Sequence, residues 1–147
     1  MKLAEALQER ADLNRQIEQL QARLYNNAVV QEGEEPAEDP QELMDQLDRA
    51  AARLEELMAA INLANWRTVV DGLTLTERIA RKDCLRLRLE AYRELVQAAS
   101  QTARRATRSE IRILSAVDVR ALQGKVDAMA RELRDNQLQQ INWTTEL

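Results

Sequence analysis

Four arginines, Arg104, Arg105, Arg108 and Arg112, crowd one short stretch, and guanidinium groups at that density neutralise phosphates. A nucleic-acid surface is the chemistry they suggest. Against it stand a net charge of −4 and the lack of aromatic residues between these arginines, on which the bases of a single strand would stack. The sequence therefore favours a basic helix end that lies against acidic helices of its own chain or of a second copy. Nucleic acid is kept as the alternative partner.

Carboxylates offer a second chemistry. A metal site bridged by carboxylates inside a helical bundle draws on Glu-x-x-His pairs, and this chain has no histidine and one cysteine, Cys84. Zinc sites built on His or Cys pairs, Ser-His-Asp triads and Cys-His nucleophiles are all excluded within one chain. Glu55, Glu56, Glu90 and Glu94 read as outward helix faces. No catalytic residue, metal ligand or cofactor is predicted, and the chain reads as non-enzymatic. Cys84, inside a Leu-rich run, is expected to be a small buried apolar residue. The acidic run Glu32, Glu34, Glu35, Glu38 and Asp39 lacks the Asp-x-Asp-x-Asp-Gly order of a calcium loop and reads as solvated.

Both tryptophans occur in one setting, Asn-Trp-x-Thr, at residues 65–68 and 142–145. Two rings together could stack on an aromatic ligand. The spacing favours a structural role instead, with Trp66 and Trp143 partly buried over the last apolar layer at one end of a bundle, and Asn65 and Asn142 closing helices.

These residues need helices to position them, and a composition rich in Ala, Leu, Glu, Arg and Gln, with three glycines and two prolines, supplies them. Leu3, Ala6, Leu13, Ile17, Leu20 and Leu24 alternate steps of three and four, with Arg10 in the same stripe, and predict a helix over about 2–26. An acidic loop follows at 27–39. Asp39 as N-cap and Pro40 at the first helical position open a second helix over 40–66, with Leu43, Leu47, Ala50, Leu54, Leu57, Ile61 and Ala64 as its seam. Asp71-Gly72 turns the chain, and Thr74 with Glu77 caps a third helix over 75–107, whose seam is Leu85, Leu89, Tyr92, Val96, Ala99, Ala103 and Ala106. A fourth, over 116–142, uses Val119, Leu122, Val126, Met129 and Leu133, then drifts to Leu138 and Ile141, and Gly124 in its interior suggests close packing.

The expected fold is one all-α domain over 1–147: four long helices in an up-down bundle or coiled-coil arrangement, with a short β-ribbon at one end. Val29 and Val30 after the first helix, and Ile111 and Ile113 after the third, favour extended structure and are assigned to that ribbon, within a chain or between copies. The same four residues are the predicted oligomer contact. Charge is divided along the chain. Residues 1–66 hold six basic and fourteen acidic side chains, a net of −8, whereas residues 75–112 hold ten and five, a net of +5. The start, "MKLAEALQER", has acids where a signal peptide has an apolar core, and no stretch approaches roughly 18 uncharged apolar residues, so a cytoplasmic protein without a transmembrane segment is expected.

"MKLAEALQERADL", "VVQEGEEPAEDP", "DGLTLTERIARKDCLRLRLEAY", "RSEIRILSAVDVRALQGKVDAMAREL" and "INWTTEL" resemble the septicolysin-like family of bacterial helical proteins, over essentially the whole chain. The resemblance implies an all-helical homo-oligomer. Its toxin-like name implies, as a further alternative, a pore-forming or membrane-active protein. No functional residue comes with it, so the leading expectation is a self-associating helical scaffold or interaction protein.

Overall fold

The computed structural model describes residues 1–101 and 111–147. These are all-α with one short β-ribbon: helices α1 (Leu3–Asn26), α2 (Pro40–Arg67), α3 (Leu75–Ala99), α4 (Val119–Arg134) and α5 (Leu138–Thr144), and strands β1 (Val69–Val70) and β2 (Leu73–Thr74) between α2 and α3. They fall into two compact units, one of Met1–Leu75 with Gln139–Leu147, the other of Thr76–Leu138.

In the first unit α1 packs along α2. The buried side chains Leu3, Ala6 and Leu20 of α1, with Leu43, Ala50, Leu57, Ile61 and Ala64 of α2, follow the spacing of the sequence. Arg10, Leu13, Ile17, Leu47 and Leu54 on the same stripes are half-buried. The two helices run antiparallel, since Glu9 near the start of α1 meets Arg53 at the middle of α2, while Arg23 near the end of α1 meets Glu38 just before α2. Asp39 caps α2 by accepting from Gln41 N–H at 3.0 Å, and Asn27 fastens the loop by accepting from Glu38 N–H at 3.0 Å.

The second unit is a helical pair closed by Leu85 and Leu89 of α3 against Val126 and Met129 of α4, with Tyr92, Val96, Ala130 and Leu133 packed around them. Asp118 caps α4 through Ala121 N–H at 3.1 Å.

Several expectations change. The ribbon is a hairpin on the Asp71-Gly72 turn, pairing Val69 with Thr74 and Val70 with Leu73. Asp71 and Gly72 take φ of 52° and 81°, a left-handed pair that brings two antiparallel strands together in two residues. Val29, Val30, Ile111 and Ile113 belong to no strand. The third helix ends at Ala99, where Ser100 Oγ turns back onto the Val96 carbonyl at 2.7 Å; the rest of its expected span lies outside the described residues. The expected fourth helix breaks into α4 and α5 because Asn136 serves both ends: its Nδ2 donates to the Leu133 carbonyl and its Oδ1 accepts from Leu138 N–H at 3.3 Å. Gly124 has open space where a Cβ would stand, so no close packing explains it. Cys84 is exposed, since it lies one residue, about 100°, out of phase with the Leu85 seam.

Candidate functional site

The repeated Asn-Trp-x-Thr is a helix terminator used twice in one unit. Thr68 N–H closes the last turn of α2 on the Ala64 carbonyl at 3.0 Å, and Thr145 N–H does the same for α5 on Ile141 at 2.9 Å. Each threonine carbonyl then accepts from the first leucine of another helix: Thr68 from Leu75 N–H at 3.0 Å, Thr145 from Leu3 N–H at 2.8 Å. Those leucines are both 0% exposed and open α3 and α1. The next residues out also pair alike, Val69 with Thr74 and Glu146 with Lys2. One connection continues through Asp71-Gly72, while the other joins the first and last residues of the sequence.

Arg67 ties the two terminators together, its Nη2 donating to the Glu146 carbonyl at 3.2 Å. Glu146 also takes the Lys2 ammonium at 2.5 Å and the Met1 amine at 3.3 Å, and these cations, Lys2 first, hold its carboxyl below the ordinary glutamate range. Glu9 and Glu38 are lowered for the same reason by the hydrogen-bonding guanidiniums of Arg53 and Arg23. In the second unit Lys125 Nζ sits 3.5 Å from the Tyr92 hydroxyl and 4.9 Å from its ring centre, which lowers the phenol. These charges join one helix to another or one chain segment to another. Among the described residues no group of three or more His, Cys, Asp or Glu side chains is placed to hold a metal ion.

Both tryptophans lie at this joined end, yet they are not plugs. Trp66 is 71% exposed and Trp143 55% exposed. The reason is phase: each follows a buried residue, Ala64 or Ile141, by two positions, which turns its ring roughly 200° away from the core side. The sequence held this signal, because the α2 seam runs through Ala64 and so cannot include Trp66.

Val29 and Val30 sit exposed in the loop after α1, and Ile111 and Ile113 sit exposed ahead of α4. Arg112 is exposed in the same segment. Arg104, Arg105 and Arg108 lie outside the described residues. Larger apolar exposure, missed from sequence, runs along α2: Met44, Met58, Leu63 and Trp66 face water beside half-buried Leu47 and Leu54. Met44, Leu47, Ala51, Leu54 and Met58 keep three-and-four spacing, so α2 carries two overlapping stripes, of which α1 covers one.

Residues 10–147 match a family described as "Family of unknown function (DUF6847)". The chain belongs to that family. A crystal structure of "a functionally unknown conserved protein from Corynebacterium diphtheriae" is similar, with 36% sequence identity and a TM-score of 0.91 over 100% of this chain and 98% of that one. No curated protein matches. The septicolysin-like resemblance is thereby corrected, since the matching family is a different one. Three of its five segments are amphipathic runs of Leu, Ala, Arg and Glu, a pattern that any long packed helix produces. Nor is any helix among the described residues long and apolar enough to cross a membrane.

Proposed function

We propose that this chain is a non-enzymatic helical interaction protein of the cytoplasm that associates with copies of itself. One observation carries the reading: the second stripe of α2, where Met44 is 41% and Met58 48% exposed at seam spacing. A helix that pairs with one neighbour needs one stripe, and large apolar side chains held in water at regular spacing fit a second helix laid along them. Leu63 and Trp66 are also exposed near the end of α2, on other sides of the helix. Val29, Val30, Ile111 and Ile113, exposed β-favouring residues near helix ends, are further contact candidates.

Light scattering coupled to size exclusion, run over a hundredfold range of concentration, tests the reading. A mass that stays at 16.9 kDa throughout refutes it. Where a larger species is found, Ile111→Asp with Ile113→Asp lowers its mass if those residues take part, and leaves the helical signal in circular dichroism largely intact.

A further inference from the structure

Helix α3 has a second apolar row on the side turned away from α4. Its seam with α4 runs through Leu85, Leu89, Tyr92 and Val96. At about 100° per residue, Ala80, Cys84, Leu87, Ala91, Leu95 and Ala98 form another row roughly 140° around the helix. All six are exposed, Leu87 at 67% and Leu95 at 40%. Charge borders this row in two columns of opposite sign. Arg81 and Arg88 stand along one edge, and Asp83 and Glu90 along the other.

We infer that this face binds the same face of a second copy, with the two α3 helices parallel and in register. The inference rests on the self-association proposed above and adds a second surface to the α2 stripe. Charge selects both the occupant and the direction. A two-fold axis parallel to the helices sets the basic column of each copy against the acidic column of the other, twice. Asp83 then meets Arg88 of the second copy, at the five-residue offset by which charges pair across a parallel seam. Antiparallel pairing sets arginines against arginines and carboxylates against carboxylates. An unrelated partner of one charge sign satisfies only one column. Ala80 and Ala91 let the backbones approach, Leu87 fills the seam up to Glu94 one heptad on, and Cys84 faces its own counterpart across the axis.

The experiment uses the full chain as wild type, Asp83→Arg, Arg88→Asp and the double variant, with dimer Kd measured by sedimentation. Each single change turns two attractive pairs per dimer into like-charge pairs and should weaken Kd about tenfold. The double variant exchanges the columns locally and should return Kd close to wild type. Diamide, which takes up two thiol protons and two electrons as a disulfide forms, should link two copies through Cys84 at concentrations where the dimer is populated. A dimer whose Kd ignores all three variants, or that gives no Cys84 cross-link, overturns the α3 face and leaves self-association standing. A chain that is monomeric at every concentration overturns both.

Discussion

Ile61 and Trp66 stand five residues apart on α2, and replacing each with alanine should have opposite consequences for what their sizes suggest. Ile61 is 1% exposed and packed in the α1–α2 seam, so Ile61→Ala should cost about 2–5 kcal/mol from lost transfer energy and the cavity left behind. Trp66 is 71% exposed. Of a surface of up to about 250 Å² for such a side chain, roughly 70 Å² is covered. At about 25 cal/mol per Å² that is an upper bound just under 2 kcal/mol. Alanine keeps part of the contact and is the better helix former, so the net loss for Trp66→Ala should stay within about 1 kcal/mol. Urea unfolding resolves the two. With a slope of about 2 kcal/mol per M, the midpoint should fall by about 1 M or more for Ile61→Ala and by about 0.5 M or less for Trp66→Ala. Trp143 remains as a fluorophore in the same unit, and working below the concentration of self-association removes any cover a second copy gives Trp66. An equal shift for both variants would show that the Trp66 ring is part of the core, and the exposure argument would fail.

Glycine gives the next contrast: Gly124, in the interior of α4 with open space at its Cβ, should gain about 0.5–1 kcal/mol as Gly124→Ala, whereas Gly72→Ala, at φ 81°, should lose about 1 kcal/mol or more, both read by thermal unfolding. Removing the α2 cap by Asp39→Ala should cost about 1 kcal/mol, while Asp39→Ser should recover most of it. The pH profile follows from Glu9, Glu38 and Glu146, whose carboxyls lie below the ordinary range in the folded chain. The unfolded state binds the proton first, so their contribution is whole above the ordinary glutamate value of about 4.3 and is lost as pH falls through the lowered values. Unfolding midpoints should be flat from about pH 5.5 to 7, a range in which a chain without histidine has little to titrate, and should drop below about pH 5. Glu9→Gln should make that acid drop shallower.

The sequence by itself determined where the long helices lie and which stripe of α1 and α2 is buried. Leu43, Ala50, Leu57, Ile61 and Ala64 were readable because a helix repeats every 3.6 residues and one apolar stripe must leave water. The N-cap of α2 was readable too, since Asp39 acts on an amide two residues away. The turn at Asp71-Gly72 was equally local.

What needed the tertiary structure was every feature in which distant residues share one group. Asn136 splits a helix because its amide serves two backbone atoms at once, a competition that periodicity does not register. The β-favouring character of Val29, Val30, Ile111 and Ile113 was legible, but pairing needs a partner strand at hydrogen-bonding distance, and the short Asp71-Gly72 turn supplies one to Val69 and Val70 at far lower loop entropy. The repeated Asn-Trp-x-Thr was visible as letters. That its threonines end two helices and begin two bridges, onto Leu75 and Leu3, depends on the last residues of the sequence returning to the first, and no local preference encodes a contact of that span.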